Sequence, residues 1–296
     1  MNKRIVFKQV FGFSTLLVAI TYLYSIWFSN STVIKQYIIS IPIEVVVVTI
    51  ILSALAGLCN SLLWFNINLK FDRTANFSKS LLAWSIGRLY RYIPGKVAGY
   101  YVRHKLQNSS TKVGLVASIN EFILPLIPVL LLVIIYLISS NFPIPITIVF
   151  SLLLLLTFFI KPISSFISKK WDSTIEFDKL LFSPTEIISK FKFIVPAMIL
   201  HGLSFLFIVK VGLDEKSFNL AQALITLYIS GIIGQLALIA PGGIGVREAA
   251  IVFVLSTFGI NENIAITIAA ISRVVLLISE VLNVLLAYLY FKMAYK

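Results

Sequence analysis

Arg247 and Glu248 stand side by side just after Pro241-Gly242-Gly243, inside a long apolar stretch. Arg273 and Glu280 lie seven positions apart further on, a spacing that puts them on one face of a helix. Glu121 sits in another apolar run, and Arg88 and Arg91 precede Pro94-Gly95-Lys96. Ionisable residues in such surroundings are costly and default to functional candidates. A guanidinium offers a rigid fork of donors that matches a carboxylate or a phosphate. The chemistry available to this set is therefore the binding of an anion. Arg247 and Arg273 are expected to face a central cavity, with Glu248, Glu121 or Glu280 as partners. The competing reading is a set of structural ion pairs holding a helical bundle. For the strip Arg88, Arg91 and Lys96, the competing reading is the ordinary surplus of positive charge in cytoplasmic loops.

The two Pro-Gly elements add a second source of positive potential. Proline removes a backbone donor and clashes with the preceding turn, and glycine permits positive φ, so each element ends one helix and lets another begin. Helices starting after Gly95 and after Gly243 would present free N–H groups and the positive end of a dipole, a ready anion site. Pro94, Gly95, Pro241, Gly242 and Gly243 thus join the candidate binding residues. The alternative is a pair of kinks that only help packing.

The elements that must position these residues follow from composition. Of 296 residues, 59 % are hydrophobic and 12 % charged, against about 25 % charged in soluble domains. The mean hydropathy is +0.97. These values exclude an ordinary soluble domain and a disordered chain. The single cysteine, Cys59, cannot form an intrachain disulfide. An all-α polytopic membrane protein is expected, with six spanning helices near 10–28, 43–69, 113–139, 144–160, 193–211 and 264–291. Two further segments, 78–106 and 219–258, are apolar but interrupted by the Pro-Gly elements.

The net charge of +13 would suggest nucleic acid in a soluble protein, but here it reads as loop charge facing the cytoplasm. Lys3, Arg4 and Lys8 place the N-terminus on the cytoplasmic side of a cell membrane. No small-residue cleavage site follows the first apolar run, so an uncleaved helix is expected. If 78–106 dips in and returns, Arg103, Lys105 and Lys112 stay cytoplasmic with Lys70, Arg73 and Lys79. The chain then crosses twice around an uncharged external loop at 140–143. The loop 161–192, with six lysines, is again inside. The second broken segment enters from outside, and the last helix returns the C-terminus to the cytoplasm.

The broken segments also resemble each other. Gly87 and Gly234 each lie seven residues before their proline, and Ala117-Ser118-Ile119-Asn120-Glu121 aligns with Ala269-Ala270-Ile271-Ser272-Arg273. One transmembrane domain, 1–296, is expected, with inverted halves of about 1–140 and 141–296, an arrangement found in transporters.

Other features are read as structural. His201 is expected to be a hydrogen-bonded core residue, and Asn60, Ser61 and Trp64 packing and interface residues. Ser183-Pro184-Thr185-Glu186 is a capping box marking a helix start. Trp171 among lysines suggests an interfacial helix. No phosphate-binding loop, H-E-x-x-H or C-x-x-C motif occurs. Two histidines and one cysteine make a His/Cys metal site unexpected. No cofactor, catalytic residue or nucleic-acid partner is expected.

Ala240-Pro241-Gly242-Gly243-Ile244-Gly245-Val246-Arg247-Glu248 resembles the P-G-G-x-G-x-R-E signature of the lysylphosphatidylglycerol synthase transmembrane-region family, also called flippase-like domain proteins. Arg91-Tyr92-Ile93-Pro94-Gly95-Lys96 resembles that family's first Pro-Gly element. A Glu-Arg pair often follows that element in the family, whereas Phe122 follows Glu121 here. Bifunctional members carry a cytosolic aminoacyl transferase domain, absent from this sequence. The resemblance therefore implies the flippase-type module without lipid aminoacylation. It implies a non-enzymatic transporter that moves an anionic phospholipid or polyprenyl phosphate between leaflets, with the arginines neutralising the phosphate. A non-transporting membrane partner of a glycosyltransferase or lipid-modifying enzyme is the alternative. An intramembrane acid–base enzyme using Glu121, Glu248 or Glu280 is a third reading, without a recognisable nucleophile–base arrangement to support it.

Overall fold

The computed structural model describes residues 32, 39–71, 75–92, 97–107, 111–139, 182–211, 218–237 and 241–294. Among them lie eight α-helices: α1 (Ile43–Phe71), α2 (Phe77–Leu89), α3 (Val97–Gln107), α4 (Thr111–Ser139), α5 (Pro184–Val211), α6 (Leu220–Leu236), α7 (Val246–Thr257) and α8 (Glu262–Ala294). Two 3-10 turns, Tyr90–Tyr92 and Pro241–Gly243, follow α2 and precede α7. No strand occurs among the described residues. Four helices, α1, α4, α5 and α8, are long and apolar enough to cross a membrane. The chain is an all-α polytopic membrane protein. The expected spans 10–28 and 144–160, the loop at 140–143, Trp171, and the Pro94-Gly95-Lys96 element lie outside the described residues.

Helix boundaries follow local capping. α5 begins at Pro184, nine residues before the span expected at 193. Glu186 explains this start: its carboxylate accepts the Ser183 N–H at 2.7 Å and pairs with Lys70 at 2.9 Å. Lys190 and Lys192, expected in a loop, are therefore helical. At the start of α6, Asn219 and Gln222 cap each other reciprocally, at 3.0 and 2.9 Å.

Small residues let the long helices approach. The Ser53 hydroxyl meets that of Ser279 at 3.0 Å, and Gly57 one turn later faces Asn283, so α1 and α8 run parallel. Ser204 donates to the Thr49 carbonyl at 2.9 Å, while Lys70 meets Glu186, so α1 and α5 run antiparallel. A Cβ at Gly57 would overlap the Asn283 side chain. Gly57→Leu is accordingly expected to cost about 1–3 kcal/mol, read as a lowered thermal midpoint in detergent; an unchanged midpoint would mean that α1 and α8 do not meet there.

Both interrupted segments turn back on themselves. In the first, Gln107 donates to Ser80 at 2.9 Å, and a Cβ on Gly99 would lie 2.7 Å from the Gly87 carbonyl oxygen. In the second, a Cβ on Gly243 would lie 2.8 Å from the Gly234 carbonyl oxygen, and the rings of Phe218 and Phe258 meet edge-on at the open end. α2–α3 and α6–α7 are thus helical hairpins, and their 3-10 turns touch.

The packing repeats between halves. α1–α2, α2–α3 and α3–α4 contacts reappear as α5–α6, α6–α7 and α7–α8, and the contacts of α8 with α1 and α2 reappear as those of α4 with α5 and α6. Because α1 runs antiparallel to its counterpart α5, the repeat is inverted. The first hairpin opens toward one end of the bundle and the second toward the other.

Candidate anion-binding cavity

The two hairpin tips meet through Tyr92 and Gly242. Gly242 has φ 59° and Gly243 φ 71°, values that glycine adopts without a steric cost. A Cβ on Gly242 would also lie 2.6 Å from Cδ1 of Tyr92. The P-G-G element is therefore needed both for its backbone turn and for room beside the tyrosine.

Tyr92 ties the halves together. Its hydroxyl donates to Glu280 Oε2 at 3.1 Å and accepts from Arg91 at 3.1 Å, and Arg91 pairs with Glu280 directly. Arg88 Nε approaches the same carboxylate at 3.4 Å. The Arg273 guanidinium stacks on the Tyr92 ring, 5.0 Å from its centroid. Arg273 also donates to the Gly242 carbonyl at 2.7 Å and pairs with Glu248 at 3.3 Å. The other Glu248 oxygen accepts the Gly245 N–H at 2.6 Å.

The helix expected after Gly243 starts at Val246, and the N–H of Gly245 just before it is taken by Glu248. A carboxylate in the first turn reaches back to the backbone and satisfies a donor there. Arg273 is similarly engaged: it lines the cavity, but much of its donor capacity goes to Gly242 and Glu248.

The first half contains a residue that the sequence reading assigned elsewhere. Arg103, expected in the cytoplasmic loop, is 5 % exposed and pairs with Glu121. Trp84 Nε1 donates to the other Glu121 oxygen at 2.6 Å, and Arg103 stacks over Trp64 at 5.0 Å. Glu121 thus finds its arginine on α3 rather than at the next position of its own helix. The reason is the fold-back of α3 along α2, with Gly87 leaving room for the Arg103 side chain. Gly234 does the same for Arg247, whose Cβ lies 3.0 Å from where a Gly234 Cβ would be. The matched glycines were the visible sign of this arrangement. Glu121→Ala is expected to cost about 3–5 kcal/mol by stranding Arg103, and Glu121→Gln less, because it keeps an acceptor for Trp84; thermal melts of the two variants check the order.

A cavity of about 270 Å³ lies between the hairpins, lined by Arg88, Arg91, Arg103, Arg247 and Arg273 together with Glu121 and Glu248. Gly242 reaches the same cavity, whereas Glu280 sits behind Arg88 and Arg91. Arg247 makes no ion pair among the described residues. His201, expected as a hydrogen-bonded core residue, lines the cavity and makes no hydrogen bond among the described residues. Asn60 also faces it, and Trp64 is fully buried against Arg103. Lys96, Pro94 and Gly95 lie outside the described residues.

The model of the lysylphosphatidylglycerol synthase transmembrane region matches residues 10–282, which include every cavity residue named above. The chain belongs to this family. In this member of the lysylphosphatidylglycerol synthase transmembrane-region family, the P-G-G-x-G-x-R-E run forms the second hairpin tip and the start of α7, with its Arg247 in the cavity and its Glu248 tied to Arg273. Comparisons with curated proteins and with solved structures return no match.

Proposed function

We propose that this membrane protein moves an anionic, phosphate-bearing lipid between the two leaflets, as a flippase-like transporter that makes and breaks no covalent bond. The carrying observation is the five-arginine cavity placed where two inverted hairpins meet. Arginine binds phosphate through paired donors, and binding sites at the repeat interface are the geometry from which alternating access is built. The head group would sit among the arginines and the tails would remain in lipid. Membership of a family concerned with lysylphosphatidylglycerol synthesis supports a role in lipid handling.

The bundle ends support an orientation. Lys70, Lys79, Lys105, Lys190, Lys192 and Lys292 gather at the end where α1 and α8 finish and α2 and α5 begin. The opposite end holds Lys210, Glu44 and Glu262 among the described residues. By the positive-inside rule the lysine-rich end faces the cytoplasm. In this proposal the protein resides in the cell membrane with both termini cytoplasmic.

Reconstitution tests the reading. Proteoliposomes with a fluorescent anionic lipid and a quencher confined to the outer leaflet should show quenching beyond the outer-leaflet half. A final level equal to that of protein-free vesicles would remove the transport reading.

A further inference from the structure

The charges around the cavity narrow its ligand, and this step rests on the transport reading above. Three carboxylates answer five guanidiniums: Glu280 is shared by Arg88 and Arg91, Glu121 takes Arg103, and Glu248 takes Arg273. Arg247 has none among the described residues. Among the described residues two positive charges are left uncompensated inside an apolar bundle, an expensive condition without an anion. Guanidinium donors are also left over. Arg247 lines the cavity and makes no hydrogen bond among the described residues, so its donors are available there.

A fitting ligand therefore brings two negative charges and several acceptor oxygens. At about 270 Å³ among the described residues the cavity lies just below the range of small-molecule sites, about 300–1,000 Å³, and has room for a phosphate group. A phosphodiester supplies a single negative charge. A phosphomonoester carries about −1.5 to −2 at pH 7 and presents three strong acceptor oxygens. We propose that the cavity selects a phosphomonoester head group over a phosphodiester, with Arg247 as the residue that reads the second charge.

The test uses the full chain in phosphatidylcholine nanodiscs at pH 7.5. Phosphatidic acid, phosphatidylglycerol and inorganic phosphate are titrated separately, with tryptophan fluorescence as the readout because Trp64 and Trp84 flank Arg103 and Glu121. Phosphatidic acid should bind at least tenfold more tightly than phosphatidylglycerol. Arg247→Gln should bring that ratio close to one, and Arg247→Lys should keep most of it. Equal binding of the two lipids by the unaltered chain, or an unchanged ratio in Arg247→Gln, overturns the two-charge selection and leaves an anionic-lipid site standing. Binding of neither lipid removes both readings. Inorganic phosphate binding as tightly as phosphatidic acid supports the phosphomonoester chemistry and identifies a soluble source, which removes the lipid reading alone. If Arg247→Gln does not fold, the ratio in the unaltered chain decides.

Discussion

Arg247→Ala is expected to reduce lipid translocation in proteoliposomes to the level of protein-free vesicles, with the thermal midpoint of the protein little changed. Three observations separate function from stability at this position. Arg247 makes no ion pair among the described residues, so its removal strands no buried carboxylate. Its Cβ, the atom packed toward Gly234, is retained by alanine. Its removal also deletes one of the two uncompensated charges in the cavity, which offsets part of the packing lost with its aliphatic stem. A change in stability within about 1 kcal/mol is therefore expected, in the ordinary range for single substitutions. Paired flux and melting measurements check it. Flux like that of the unaltered chain would take Arg247 out of the transport step.

Arg273→Ala should behave in the opposite way and fail as a fold. Arg273 joins three structures at once: the Glu248 carboxylate, the Gly242 carbonyl and the Tyr92 ring. Glu248 is only 4 % exposed, so losing Arg273 leaves a buried carboxylate without its counter-charge. Breaking a buried pair from one side costs about 3–5 kcal/mol, and the Gly242 carbonyl at the hairpin tip loses its donor as well. Glu248→Gln in the same chain should recover part of the loss, because the stranded charge is then gone. A double-mutant cycle on thermal or denaturant unfolding measures this coupling. Strictly additive effects would show that the pair does not form.

The contrast between these two arginines was hidden in the sequence. Both sit in apolar runs and both were expected in the cavity, where the fold places them. Which one is engaged depends on Tyr92 and Gly242, which come from different halves of the chain and meet only when both hairpins fold. Glu121 shows the same dependence. The sequence offered it Arg247 or Arg273 as a partner, whereas it pairs with Arg103, which lies eighteen positions earlier and looked like loop charge. The fold-back of α3 carries Arg103 inward past Gly87, a placement that linear spacing and the positive-inside rule cannot express.

The capping of α5 was local and hence readable. Ser183 and Glu186 satisfy each other's backbone donors within one turn and Pro184 brings no donor of its own, so no distant residue is needed to place the helix start. Lys70 reinforces it from α1, a contact with no signature in the sequence.

By itself the sequence determined the class of molecule, the two interrupted segments and their kinship. Apolar length, Pro-Gly chemistry and matched glycines act through neighbouring residues or through the solvent, and such effects are written along the chain. The tertiary structure decided the pairing of charges and the surplus in the cavity. Those depend on antiparallel packing of α1 with α5 and on contact between two hairpin tips. Coulomb interactions fall with distance in space rather than separation along the chain, so only the fold shows which guanidiniums have carboxylate partners.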